Sequence, residues 1–181
     1  MKTLKFILCF SMLFGILNCT KQVDFDQIDD AEIKPNYILT LVYTDLFTPD
    51  FLNEIGEEIL IKTDVIQGSL SSFSIEYIEK IELSVASENT FDREFNVKIV
   101  LYDASQTPIY NLPEINVPAN SGELFTIIEI PKEDIGLIFN THYFGFYIRM
   151  LPSNDGSLIT YDDDFKLSLK SSMELFLKYK K

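Results

Sequence analysis

From Pro35 onward the apolar residues of this chain recur at every second position, and that period admits little besides β-structure. Within residues 93–102, Phe95, Val97, Ile99 and Leu101 alternate with Asn96, Lys98 and Val100. Within residues 142–151, His142, Phe144, Phe146, Ile148 and Met150 share one face, and Tyr143, Gly145, Tyr147 and Arg149 share the other. Successive side chains of a strand point to opposite sides, so each such run buries one face and wets the other. Residues 165–179 repeat the pattern with Leu167, Leu169, Met173, Leu175 and Leu177, Phe176 being the exception. Residues 36–46, rich in Tyr, Ile, Leu, Val and Thr, also read as a strand, as do residues 75–87, 109–112 and 124–130. A polar loop (Glu88, Asn89, Thr90, Phe91, Asp92) joins two of these runs, so residues 81–102 predict a long antiparallel pair.

Two segments predict short helical turns. Thr48, Pro49 and Asp50 make a helix start with Thr48 as N-cap and Phe51, Leu52 and Ile55 facing inward; Gly56 ends it. Pro131, Lys132, Glu133 and Asp134 begin a single turn ending at Gly136. Seven or eight strands with turns every eight to twelve residues predict an all-β fold, an antiparallel β-sandwich. Residues 80–110, KIELSVASENTFDREFNVKIVLYDASQTPIY, resemble strand pairs of immunoglobulin-like and fibronectin-like domains. That resemblance implies an immunoglobulin-like sandwich, although the chain has no Trp and no Cys beyond position 19. A body of this size is well past the limit below which small domains need staples.

The first eighteen residues read as an address. Lys2 and Lys5 precede a twelve-residue, largely apolar run, residues 6–17. A span needs about 20 residues, so this length suits an export signal better. The run ends Ile16-Leu17-Asn18-Cys19, which resembles a bacterial lipobox, with Asn18 where that pattern usually has Gly, Ala or Ser. The resemblance implies cleavage before Cys19 and lipid (diacylglyceryl and palmitate-like acyl chains) on its thiol and amine. An ordinary secretory signal and an uncleaved anchor helix are the alternatives. Residues 19–35, with Asp24, Asp26, Asp29, Asp30 and Glu32, form an acidic tether. They resemble the surface-export signals of Bacteroidota lipoproteins, and the chain as a whole resembles the small lipoproteins of that phylum. The predicted organisation is a signal over 1–18, a tether over 19–35 and one domain over 36–181.

The search for chemistry ends in few candidates. With 15 basic against 28 acidic residues the formal charge is −13, which excludes a nucleic-acid partner. His142 is the single His, and no Gly-x-Ser-x-Gly elbow accompanies it. One His and no free thiol exclude an ordinary zinc site. Asp162, Asp163 and Asp164 offer hard oxygen ligands and are weak calcium candidates, the alternative being a solvated loop. Tyr143, Tyr147 and Arg149 share one strand face and make a candidate sugar- or peptide-binding platform, the alternative being packing inside the domain. No catalytic residue and no cofactor are expected. The expected function is that of a non-enzymatic outer-membrane lipoprotein, surface-facing or periplasmic. It is held by its lipid and acts as a binding or assembly module for a protein or glycan of the envelope. A hydrolase of surface polymers using unidentified carboxylates, and an accessory subunit of an outer-membrane complex, are the alternatives.

Overall fold

The computed structural model describes residues 32–69, 74–153 and 155–180. Cys19, the predicted signal and nearly all of the tether lie outside them. Of the two units into which the chain divides, Ile33–Tyr179 carries the fold described here. Nine strands build it: β1 (Asn36–Phe47), β2 (Ile61–Gln67), β3 (Ile78–Asn89), β4 (Phe95–Tyr102), β5 (Pro108–Asn111), β6 (Ile115–Val117), β7 (Ser121–Ile130), β8 (Tyr143–Met150) and β9 (Lys166–Leu177). Two-residue pieces at Glu32–Ile33 and Tyr179–Lys180 flank them.

The strands form two antiparallel sheets face to face. One has the order β1-β9-β3-β7; the other has the order β2-β8-β4-β5, with β6 also paired to β4. The alternation read from the sequence sets the inner faces. Phe95, Val97, Ile99 and Leu101 of β4, and Phe144, Phe146, Ile148 and Met150 of β8, are all buried. They meet Ile81, Leu83 and Val85 of β3 and Leu167, Leu169, Met173 and Leu175 of β9 in one core. The antiparallel sandwich is therefore as predicted.

Connectivity is a different matter. Apart from the run β4-β5-β6, the chain moves to the other sheet at each connection, which is a jelly-roll order. Residues 81–102 are consequently not an antiparallel pair. β3 bonds to β9 and β7, whereas β4 bonds to β8, β5 and β6. The turn between them is a buried crossing rather than a hairpin loop. Asn89 is fully buried; its Nδ2 donates to the carbonyls of Arg93 at 2.7 Å and Pro118 at 2.8 Å, and its Oδ1 accepts from Phe91 N–H at 2.9 Å. Phe91 is driven inward as a core ring against Phe51, Phe95 and Phe165. A loop that sends Asn89 and Phe91 into the core cannot close a solvent-facing hairpin.

Two strands escape the sequence reading, β2 and β6. The helical turns are shorter than predicted or displaced. Thr48–Phe51 is a single 3-10 turn. Thr48 does not cap it: its side chain is buried and its hydroxyl accepts from Phe165 N–H at 3.2 Å, while Asp50 accepts from Phe47 N–H at 2.8 Å. Phe51 and Leu52 are buried as expected, but Ile55 lies exposed. The second turn continues past Gly136 through the one-turn helix α1 (Ile135–Ile138). Among the described residues no helix is long and apolar enough to cross a membrane.

Candidate functional site

The outer face of the β2-β8-β4-β5 sheet is where the predicted platform falls. Odd-numbered residues of β8 point outward there. Tyr147 stands opposite Lys98 of β4 and Thr63 of β2, and Arg149 stands opposite Asn96 and Ile61. Tyr147 and Arg149 share a cleft of about 470 Å³ with Asn96, Lys98 and Tyr102 of β4. Pro108 and Asn111 of β5, and Glu114 just after it, complete the lining at one side, and exposed Ile61 at the other. Tyr143 is on the same face, opposite Tyr102 and Gln67, but outside the cleft. The structure thus brings together two of the three predicted residues.

A glycine shapes the floor. A Cβ at Gly145 would stand 2.7 Å from Tyr102 Cε2 and 3.3 Å from Tyr147 Cε2. Only without it can the two rings converge over the sheet, where their hydroxyls hydrogen-bond to each other. That bond, then burial, pushes the Tyr102 hydroxyl up to about 12. Arg149 and Lys98 are both exposed, and neither enters an ion pair among the described residues. The cleft therefore combines two bare cations, two side-chain amides, one carboxylate and two fixed tyrosine rings. Such a set can hold an anionic or hydroxyl-rich ligand in place.

The other candidates fall elsewhere. Asp163 accepts from Thr160 N–H at 2.7 Å and from the Thr160 hydroxyl at 3.1 Å, so its carboxylate closes a turn. Asp162 and Asp164 are exposed beside it, and among the described residues no three His, Cys, Asp or Glu side chains group to hold a metal. His142 precedes β8; its N–H donates to Tyr102 O at 2.8 Å and its carbonyl accepts from Gly68 N–H at 3.0 Å.

Sequence reasoning missed Tyr102, Lys98 and Asn96 as partners of Tyr147 and Arg149. The alternation puts Asn96 and Lys98 on an outward face, but only the β4–β8 register makes them and Tyr102 neighbours of Tyr147 and Arg149. It also missed a buried ion pair at one end of the sandwich. Arg93, 2% exposed, meets Glu58 at 3.0 Å and 3.3 Å and also donates to the Ser157 carbonyl. Glu58 in turn accepts from Ile159 N–H at 2.8 Å.

No family model matches this sequence, and no curated protein matches it. Solved structures do. A protein from Parabacteroides distasonis assigned as secreted superposes with a TM-score of 0.51 at 15% identity, over 64% of this chain and 37% of that one. VP2 of infectious bursal disease virus superposes with a TM-score of 0.43 at 12% identity, over 79% of this chain and 32% of that one. The enzymatically active domain of tailspike protein 4 from bacteriophage CBA120 gives 0.41 at 11% identity, over 78% and 19%. This chain spans little more than a third of the first of these and less of the others. At such identities the likeness concerns the fold alone.

Proposed function

We propose that this protein is a lipid-anchored, non-enzymatic binding module of the cell envelope, and that the cleft beside Tyr147 and Arg149 is its binding site. The cleft carries the reading. It is pre-shaped by the Tyr102–Tyr147 hydrogen bond and lined by Lys98 and Arg149, which enter no ion pair among the described residues. Among its lining residues Glu114 is the single carboxylate, whereas glycoside hydrolysis uses a pair of them. The apolar run ending at Cys19 supports export and anchoring, and the similar secreted protein from Parabacteroides distasonis agrees with an extracytoplasmic setting.

Two measurements test this. Mass spectrometry of the N-terminal peptide will find Cys19 as the first residue and lipid-modified, and Cys19→Ala will leave the membrane fraction; a bare thiol overturns the anchoring. Titration with solubilised envelope polysaccharide or protein, followed by NMR, will shift the side-chain amides of Asn96 and Asn111. Unmoved amides, or polysaccharide cut to shorter chains, overturn the binding reading.

An assembly role is the second reading, and one observation favours it. On the outer face of the β1-β9-β3-β7 sheet, Ile38, Tyr43, Phe125 and Ile127 are each at least 64% exposed. Tyr43 and Phe125 flank a shallow trough of about 240 Å³ over Ser84, Ala86 and Ser172. Crosslinks from Phe125 to one defined envelope protein would support that role.

A further inference from the structure

We propose that the cleft selects acidic saccharides, with a sugar carboxylate seated on Arg149 and Lys98. The inference rests on the cleft being the binding site and adds the chemical class of its ligand.

The cations come first. Acidic residues outnumber basic ones 28 to 15, so acids to pair with are plentiful. Lys80, Arg93, Lys166, Lys170 and Lys178 all stand within ion-pair distance of an acid. Arg149 and Lys98 do not, yet they are near neighbours. Asn96 is opposite Arg149 and Lys98 is opposite Tyr147, which makes the two cations diagonal neighbours about 7 Å apart at the backbone. Two bare like charges at that spacing disfavour the folded sheet. An anion between them reverses the sign, and a carboxylate suits the planar fork of an arginine.

The ligand's remaining chemistry follows from what the sheet leaves free. β8 and β4 are interior strands, flanked by β2 and by β5 and β6, so their backbone groups are already spent on the ladder. A peptide cannot add to this face as a strand; recognition falls to side chains. The amides of Asn96 and Asn111 and the carboxylate of Glu114 offer donors and acceptors for hydroxyl groups. The Tyr147 and Tyr102 rings, fixed over Gly145, offer an apolar surface for the face of a pyranose. The volume of about 470 Å³ falls in the usual range of small-molecule sites. The negative charge of the rest of the molecule repels acidic polymers, so only a ligand whose carboxylate reaches these two cations is retained.

The test compares galacturonate trimers with galactose trimers by calorimetry on the full chain in detergent. The acidic trimer will bind at least tenfold more tightly. Arg149→Gln and Lys98→Gln will each weaken it about tenfold, the usual effect of losing one charge-assisted hydrogen bond. The double variant will treat the two trimers alike, and Lys132→Gln, a cation outside the cleft, will change nothing. Circular dichroism melting confirms that the variants fold. Equal affinity for both trimers, or a preference that survives the double variant, overturns the inference. Binding of neither trimer, while envelope polysaccharide still shifts Asn96 and Asn111, overturns it and leaves the cleft as the binding site. Amides that never move overturn both.

Discussion

Gly145 decides the character of the cleft floor. Any side chain there meets the ring edges of Tyr102 and Tyr147 rather than backbone, so a ring has to shift. Gly145→Ala should therefore cost only about 1 kcal/mol, at the low end of overpacking, yet separate the two hydroxyls. The readout is the titration of Tyr102. In the intact protein its hydroxyl is pushed up to about 12 by the bond to Tyr147 and by burial. Tyr110 is pushed up to about 12 by burial and by its hydrogen bond to Asp134 at 2.8 Å. Both folded values lie above the unfolded value of 10.0. The stabilisation is thus complete below pH 10.0 and lost as pH rises toward about 12. NMR of ring-labelled tyrosines will show both ionising late, and Gly145→Ala will return Tyr102 toward its ordinary value while leaving Tyr110 late. Late ionisation of Tyr102 in the variant would refute the role given to Gly145. At this scale the sequence was informative along a strand and silent across strands. A two-residue spacing is enough to put Tyr147 and Arg149 on one face. Nothing local says that Lys98 stands opposite Tyr147, because register comes from the whole sheet.

At the scale of elements, the crossing from β3 to β4 depends on buried polar groups. Asn89 holds three backbone partners at once, and Asn89→Ala strands a buried N–H and two carbonyls. The expected loss is about 2–3 kcal/mol in urea unfolding, against a few tenths for Asn116→Ala, whose side chain is exposed on β6. Arg93 and Glu58 fasten two loops to the same end of the sandwich. Arg93→Met leaves the Glu58 carboxylate half-buried without its cation and should cost about 3 kcal/mol. Adding Glu58→Leu should recover much of that loss, since a buried pair is replaced more cheaply than it is broken. A double variant no more stable than Arg93→Met would show that the loop contacts to Ser157 and Ile159 matter more than the charge. The two strands absent from the sequence reading explain themselves physically. β2, IKTDVIQ, is an edge strand with Ile61 and Val65 exposed, so no apolar face marks it. β6 has three residues between Pro113 and Pro118, too few to establish a period.

For the whole molecule, alternation settles layers but not connections, since a strand can bury the same face in either of two sheets. Net charge is the other property that belongs to no single element. The whole chain carries an excess of 13 negative charges, and most of that excess is on the folded body, where it repels itself and disfavours the compact state. Opposing that are exposed pairs such as Lys166–Glu88 and Lys170–Glu123, each worth about 0–1 kcal/mol. Salt weakens both. Raising sodium chloride from about 0.01 M to about 0.15 M shortens the screening length from roughly 30 Å to roughly 8 Å. Repulsion acts across the whole surface and is the first to be screened; pairs in contact keep most of their attraction, and the Arg93–Glu58 pair is sheltered by burial. The balance therefore tips toward the folded state. The urea midpoint at pH 7 should rise over that range with an unchanged slope, and rise less in a variant with several acids of the exposed sheet faces changed to amides. A midpoint that falls with salt would mean that the few surface pairs outweigh the acidic excess.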